Sequence, residues 1–183
     1  MFEKLANSTF RIVCGHSSGS GFSYRLENII ITNCHVIENT FITKQEIYAI
    51  TEDNISFLAK LIAYSSKEEY DFAILEIQSS LPKNRNILQP NLELELKRGI
   101  KTVFSGFPHG IPDLLIHEAI ISNVQNTKSF YLDGSINGGN SGGPIIDSLS
   151  GKVIGIVTQR RFLSPYNYSS AKKNVNDIQK QCE

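Results

Sequence analysis

A single serine stands inside a run of glycine, asparagine and proline, Gly138-Gly139-Asn140-Ser141-Gly142-Gly143-Pro144. Dense glycine lets a backbone adopt positive φ angles and bring its N–H groups close to a ligand. Acyl transfer needs two such N–H groups aimed at a developing oxyanion, and the amides of Gly139 and Ser141 suit that role by position. A glycine-rich hairpin or a phosphate loop is the alternative, although the Gly-Lys-Ser/Thr of a phosphate loop is absent. We interpret Ser141 as a candidate nucleophile.

Two other side chains have the chemistry to activate this hydroxyl. His35 follows the apolar run Ile29–Ile31, and Asp71 directly precedes the apolar run Phe72–Leu75. An imidazole takes and returns a proton near neutral pH, and a carboxylate fixes its tautomer and stabilises the imidazolium. Neither residue is distinctive alone, because a lone histidine is usually a surface or core residue and an aspartate often begins a strand. That ordinary role is expected of the other histidines, His16, His109 and His117.

Many short runs rich in Ile, Val, Phe and Tyr, broken by Gly, Asn, Asp and Pro, surround these side chains. They predict strands at Thr9–Cys14, Gly19–Tyr24, Ile29–Thr32, Phe41–Thr51, Ile55–Tyr64, Phe72–Ile77, Thr102–Phe107, Leu114–Val124, Ser129–Leu132, Pro144–Asp147 and Lys152–Thr158. Frequent turns between short strands favour an all-β sandwich or barrel. The strands do not alternate with helical patterns, which argues against a parallel α/β sheet.

A segment with two prolines and few apolar runs divides the chain. We predict a first unit at 1–80 that carries His35 and Asp71, and a linker at 81–98. A second unit at 99–166 would carry Ser141. Residues 167–183 predict a short C-terminal helix, because Val175 and Ile178 fall at helical spacing.

The amino-acid composition limits the binding partners and the cellular compartment to be expected of this chain. The chain has 183 residues, of which 40% are hydrophobic, and this is enough to bury a core without disulfide bonds or metal ions. Its 18 basic and 18 acidic side chains cancel, which argues against nucleic acid or an anionic membrane as a partner. The sequence has no run resembling a membrane span or a signal peptide. Three cysteines at irregular spacing argue against a secreted disulfide framework, so we expect a cytoplasmic protein.

The three motifs occur in the order His, Asp, Ser, and together they resemble the chymotrypsin-fold serine peptidases, most closely the bacterial HtrA (Deg)-like branch. Gly19-Ser20-Gly21-Phe22 and Ile31-Thr32-Asn33-Cys34-His35-Val36 are similar to that branch's glycine-rich strand and histidine motif. Asp71-Phe72-Ala73-Ile74-Leu75 and Gly139–Pro144 are similar to its aspartate and serine motifs. Ser105-Gly106-Phe107-Pro108 and Val153–Val157 match strands of its second barrel.

The resemblance implies two six-stranded antiparallel β-barrels with a catalytic triad in the cleft between them. It assigns His35 as base, Asp71 as the orienting acid and Ser141 as the nucleophile of a serine endopeptidase. The amides of Gly139 and Ser141 would form the oxyanion hole, and no metal or cofactor is required. Protein or peptide is the implied substrate. Asn140 replaces the aspartate that pairs with a cleaved N-terminus in zymogen peptidases, and no PDZ domain follows in this sequence, so a further domain or an activating partner is an open expectation.

The resemblance also places a substrate pocket around Ser135, Ile136 and Asn137, with Thr158 and Arg160 opposite. A serine at the pocket floor favours a small or medium apolar P1 residue, unless Asp133 reaches in and selects a basic one. Arg160 is either a solvated strand-end charge or a partner for an acidic P1 side chain.

Three alternatives remain open at this point. The chain could be an inactive or partner-gated trypsin-fold binding module. Cys34, next to the candidate base, could be a nucleophile, although no second histidine is placed to serve it. Cys14, His16, Cys34 and His35 could bind zinc, although their spacing matches no common zinc motif.

Overall fold

A computed structural model describes residues 1–79, 81–82, 84–126 and 129–158. The first half contains helices α1 and α2, a 3₁₀ turn and six strands: α1 Phe2–Ala6, β1 Thr9–Cys14, β2 Ser17–Ser23, β3 Ile29–Thr32, the 3₁₀ turn Cys34–Ile37, α2 Glu38–Thr43, β4 Ile47–Ile50, β5 Ser56–Ser65 and β6 Phe72–Ile77. The described part of the second half contains five strands: β7 Lys101–Gly106, β8 Leu115–Asn126, β9 Ser129–Asp133, β10 Pro144–Asp147 and β11 Val153–Ile156.

The first half forms a closed antiparallel barrel in the order β1-β2-β3-β6-β5-β4. Strand β1 closes it by pairing with β2 on one side and with β4 on the other. Buried and half-buried positions alternate along β6, as a strand with one face on a core requires. The barrel interior is filled by apolar side chains that include Phe10, Ile12, Ile30, Leu75 and Ile77. The predicted six-stranded first barrel is therefore confirmed.

The second half differs from the predicted six-stranded barrel. Its five strands form one antiparallel sheet in the order β11-β10-β7-β8-β9. Among the described residues no strand joins β9 to β11, so the sheet is not closed, and a sixth strand would have to come from outside them. The predicted C-terminal helix at 167–183 also lies outside the described residues.

Two short helices were not predicted by the apolar pattern. The segment predicted as the strand Phe41–Thr51 begins instead as α2, because the 3₁₀ turn that follows β3 runs directly into a helical turn. Lys44, in the left-handed region at φ 57°, ends the helix, and β4 starts only at Ile47. At the N-terminus, α1 buries Leu5 completely. The described part of the chain contains no helix long and apolar enough to span a bilayer.

An apolar cluster joins the two halves. Leu5 of α1 packs there with residues of the first barrel, of the connecting segment and of the second sheet, namely Phe22, Ile31, Leu88, Val103, Ile146 and Val153. The Oγ1 of Thr9 and the Oγ of Ser105 lie 2.7 Å apart across the same boundary. From the connecting segment, the Arg85 guanidinium lies 4.2 Å from the Phe10 ring and donates to the Thr9 carbonyl. Burial lowers the pKa of Arg85 to about 10, although the negative charges of Asp53 and Glu52 act to raise it. The halves are thus packed against each other through a shared apolar cluster and a few polar contacts.

Candidate active site

His35 is positioned by the end of a barrel strand. Strand β3 pairs with β6 so that Thr32 lies opposite Ala73, which brings the C-terminal end of β3 beside the N-terminal end of β6. His35 sits in the 3₁₀ turn after β3, and Asp71 directly precedes β6. The antiparallel register therefore places the imidazole and the carboxylate at one edge of the barrel.

Asp71 holds His35 at two points. Its Oδ2 lies 2.7 Å from the imidazole Nδ1, and its Oδ1 accepts the backbone N–H of His35 at 3.0 Å. The Asp71 residue is only 3% exposed, so the carboxylate is shielded from water, whereas the His35 side chain is 26% exposed. A carboxylate acceptor at Nδ1 favours the tautomer with the proton on Nδ1, which leaves Nε2 able to accept a proton. This is the arrangement that a general base requires.

The backbone of Asp71 is held as firmly as its side chain. Its N–H donates to the Ser66 carbonyl at 2.8 Å, and its carbonyl accepts Asn33 Nδ2 at 2.7 Å. The residue has a φ of 51°, in the left-handed region that aspartate tolerates better than most residues. These contacts fix the direction in which the carboxylate leaves the strand.

Ser141 lies in the turn between β9 and β10. Its carbonyl accepts the N–H of Ser20 at 2.7 Å, and its Oγ donates to the Thr158 carbonyl at 3.3 Å. Within the described residues, no hydrogen bond joins this Oγ to His35. Ser141 and His35 nevertheless line one cavity of about 480 Å³, together with Gly138 and Gly139. The structure thus brings the candidate nucleophile and the candidate base to the same cavity.

The two predicted oxyanion donors are free of competing acceptors. In the described chain, the backbone N–H groups of Gly139 and Ser141 donate to no protein group, whereas that of Asn140 between them donates to Asn137 at 3.1 Å. Gly139 has a φ of 93°, and a Cβ there would lie 2.2 Å from the Phe107 carbonyl oxygen. Only glycine fits such a position. The loop therefore presents two alternate amides that are available to an anionic oxygen.

The remaining histidines divide into two groups. His16 and His109 line the same cavity as His35, and His109 Nε2 lies 3.1 Å from the Ser18 carbonyl. The sequence suggested His16 only as a possible zinc ligand and gave His109 no role, because no spacing signal connects either of them to Ser141. His117 is an ordinary packed residue, since its ring stacks on Phe104 at 4.7 Å and burial lowers its pKa.

Four of the five predicted pocket residues line a second cavity of about 770 Å³, namely Ser135, Ile136, Asn137 and Thr158. Apolar side chains of the second sheet contribute to the same lining, including Phe130, Leu132, Ile145 and Ile156. Asp133, the possible selector of basic residues, is not among the described lining residues. Arg160 lies outside the described part of the chain. The cavity adjoins the site, because Thr158 also accepts the Ser141 hydroxyl.

The two described cysteines are free, buried thiols. Burial raises the pKa of Cys34, and the negative charges of Asp71, Glu38 and Glu68 raise it further. Burial likewise raises the pKa of Cys14. A thiol that is held protonated is a poor nucleophile and a poor metal ligand. Among the described residues no group of three or more His, Cys, Asp or Glu side chains converges as a metal site.

This geometry can be compared with known proteins. The sequence model described as "Trypsin-like peptidase domain" matches residues 19–156, which is well over half of the chain. The chain therefore belongs to the trypsin-like peptidase family.

Curated relatives come from the HtrA and Deg proteins. The chain is 33% identical over 155 residues to Protease Do-like 1, chloroplastic, of Arabidopsis thaliana, covering 77% of this chain and 33% of the relative. It is 34% identical over 151 residues to a probable periplasmic serine endoprotease DegP-like of Hahella chejuensis, covering 78% and 30% respectively. The chain thus spans about a third of the length of these relatives.

Solved structures show the same fold at lower identity. The crystal structure of Deg5 superposes with a TM-score of 0.71 at 24% identity, over 86% of this chain and 82% of that chain. A serine endoprotease from Yersinia pestis superposes with a TM-score of 0.73 at 24% identity, over 86% of this chain and 56% of that chain.

Proposed function

We propose that this chain is a serine endopeptidase domain that cleaves peptide bonds through Ser141, His35 and Asp71. The observation that carries this proposal is the 2.7 Å contact between His35 Nδ1 and the buried Asp71 Oδ2, at the edge of the cavity that Ser141 lines. That contact orients an imidazole whose free nitrogen is available to the serine. Family membership supports the reaction class.

In the proposed mechanism, the Ser141 hydroxyl first turns from the Thr158 carbonyl toward His35 Nε2. His35 takes the hydroxyl proton as Ser141 Oγ attacks the peptide carbonyl carbon, and the amides of Gly139 and Ser141 stabilise the resulting oxyanion. The protonated His35 then gives its proton to the leaving amine, which breaks the C–N bond. Water, deprotonated by the same imidazole, hydrolyses the acyl-enzyme and restores Ser141.

The second cavity supports a preference for a small or medium apolar P1 side chain. Ile136, Ile145 and Ile156 give the cavity an apolar part beside the hydroxyls of Ser135 and Thr158, and polar and charged side chains, among them Lys67 and Glu69, line the rest. The apolar part of such a pocket discriminates by shape and by desolvation of the P1 residue. Arg160 is the alternative determinant for an acidic P1 side chain, and Arg160→Ala tests its contribution.

Labelling with a fluorophosphonate serine probe tests the proposed function. We expect the wild type to label and Ser141→Ala to lose the label while keeping its thermal unfolding midpoint. Cys34→Ala is the matched control, because it removes the alternative nucleophile suggested by the sequence and should label normally. A peptide library then measures the P1 preference of the wild type and of Arg160→Ala. A folded wild type that does not label would contradict the proposal and favour a partner-gated or inactive binding module.

A further inference from the structure

The turn that carries Ser141 is held by its carbonyl groups. Four consecutive carbonyls, from Gly138 to Ser141, each accept a hydrogen bond. In chain order the donors are His109 N–H at 2.7 Å, Ser20 Oγ–H at 2.7 Å, Gly143 N–H at 2.9 Å and Ser20 N–H at 2.7 Å. Ser20 supplies two of these four donors, one from its side chain and one from its backbone.

These carbonyls determine where the oxyanion donors point. In a trans peptide the C=O and the N–H of the next residue point in opposite directions. Fixing the Gly138 carbonyl therefore aims the Gly139 N–H, and fixing the Asn140 carbonyl aims the Ser141 N–H. The Gly139 carbonyl lies between them, so a rotation of its peptide would disturb both neighbours. Ser20 Oγ is the group that holds this middle peptide.

The Ser20 hydroxyl is itself oriented. It accepts the backbone N–H of Phe107 at 2.9 Å and donates its own proton to Gly139 at 2.7 Å. Because the Phe107 N–H occupies an acceptor site, the hydroxyl proton is directed toward the Gly139 carbonyl. Ser20 is 0% exposed, so no water competes for these bonds. The hydroxyl on β2 of the first barrel thus couples two segments of the second half.

We propose that Ser20 is a positioning residue for the oxyanion loop. It acts through the Gly139 carbonyl and does not touch the reacting atoms. This inference rests on the proposed function, since an oxyanion loop matters only if Ser141 is acylated. It adds that the first half contributes a hydroxyl to the geometry of the anion site, in addition to the base and the acid.

The primary test is Ser20→Ala compared with Ser23→Ala. Both serines lie on β2 and both are 0% exposed, but the Ser23 hydroxyl has no hydrogen-bond partner among the described residues. Losing one oxyanion donor lowers kcat by about 10² to 10³, and loosening the loop should cost less. We expect Ser20→Ala to lower kcat and the fluorophosphonate labelling rate about tenfold to a hundredfold, with KM within about twofold. Ser23→Ala should leave both rates unchanged.

An isosteric pair separates the hydroxyl from packing. Ser20→Thr keeps the hydroxyl, and Ser20→Val replaces it with a methyl group of similar size. Both variants add one further carbon, so both carry the same strain from it. We expect the kcat of Ser20→Thr to exceed that of Ser20→Val. The ratio should be about the same as that between the kcat of the wild type and that of Ser20→Ala. Equal rates for the two variants would overturn the proposal, even if Ser20→Ala did not fold.

Hydrogen exchange gives a readout that does not depend on activity. The Phe107 amide donates to Ser20 Oγ, so its exchange should accelerate in Ser20→Ala and remain protected in Ser23→Ala. Unchanged Phe107 exchange would overturn the proposal, and so would a wild-type kcat in Ser20→Ala. If the wild type itself does not label, the proposed function has failed, and the exchange comparison then decides whether Ser20 holds the loop.

Discussion

The carboxylate of Asp71 contacts His35 at the ring and at the backbone, which makes it both an electrostatic and a geometric partner. Its Oδ2 lies on Nδ1, and its Oδ1 accepts the His35 amide. A side chain with two acceptor oxygens can satisfy both donors at once, whereas an amide has only one acceptor. At this position, the difference between a carboxylate and an amide is therefore chemical more than steric.

We predict that Asp71→Asn lowers kcat by about 10⁴-fold with little loss of folding. The asparagine cannot accept from both His35 donors, so its NH₂ group favours the tautomer with the proton on Nε2, which cannot take a proton from Ser141. Steady-state hydrolysis of a peptide chosen from the library measures the effect. Asp147→Asn is the matched control, since Asp147 is also buried but bonds to Ser150 in a turn after β10. A kcat for Asp71→Asn within tenfold of wild type would contradict the assigned role.

At the scale of elements, the turn between β9 and β10 is a close fit against β2. Gly142 has a φ of 87°, and a Cβ there would lie 2.1 Å from the Ser20 carbonyl oxygen and 2.5 Å from Thr32 Oγ1. Both neighbours belong to the barrel wall, and Thr32 Oγ1 already donates to that same carbonyl. The turn cannot admit a methyl group unless the backbone moves.

We therefore predict that Gly142→Ala lowers the free energy of unfolding by roughly 3 kcal/mol, from overpacking together with left-handed strain, and abolishes labelling of Ser141. Chemical denaturation and the fluorophosphonate probe measure the two effects. Gly151→Ala is the control, because Gly151 has a φ of 66° but a Cβ added there would have nothing within 4 Å. It should cost only about 1 kcal/mol of backbone strain and leave labelling intact. If both variants lost the same free energy of unfolding, backbone strain alone would explain the effect and the close contact with β2 would not contribute.

The strands were the part of the fold most readily predicted from the sequence. Thr9–Cys14, Ile29–Thr32, Phe72–Ile77 and Pro144–Asp147 were predicted with the bounds that the structure shows. Dense apolar runs bounded by turn residues identify such strands. Helix α2 was missed, because its Phe41 and Ile42 read as a continuation of the next strand.

The candidate site was predictable only where a motif carries it. His35 and Asp71 were chosen from sequence, and the structure places them in contact. Ser20 lies in a motif that was noted, but its role was not, because its hydroxyl contacts Phe107 and Gly139 far along the chain. Such long-range hydrogen bonds leave no local pattern. The cytoplasmic location and the role of Arg160 stay predictions.

At the scale of the whole molecule, one apolar cluster belongs to both halves. Leu5 of α1 is fully buried in it, next to side chains from the barrel and from the sheet. Because this side chain packs against both halves, the loss of structure in one half removes contacts that stabilise the other. The two halves should therefore unfold together.

We predict that Leu5→Ala lowers the free energy of unfolding by about 3 kcal/mol, through lost burial and the cavity left behind, and that unfolding remains a single transition. Urea denaturation followed by fluorescence and by circular dichroism measures both. Leu149→Ala is the control, because Leu149 is 95% exposed and its loss should change stability by less than about 0.5 kcal/mol. Two separate transitions in Leu5→Ala would mean that the halves are independent.

The turn of Ser141 is also bonded to Val157, the residue that directly follows strand β11. Gly142 N–H donates to the Val157 carbonyl at 2.7 Å, and Val157 N–H donates to Gly143 at 2.9 Å, whereas the barrel with His35 and Asp71 closes within residues 9–77. Ribosomes make a chain from its N-terminus. The segment with His35 and Asp71 is therefore synthesised first, and the turn of Ser141 gains its last two hydrogen bonds only when Val157 has emerged. A chain that ends before Val157 lacks both of these hydrogen bonds, although it keeps those that Ser20 and His109 donate to the same turn.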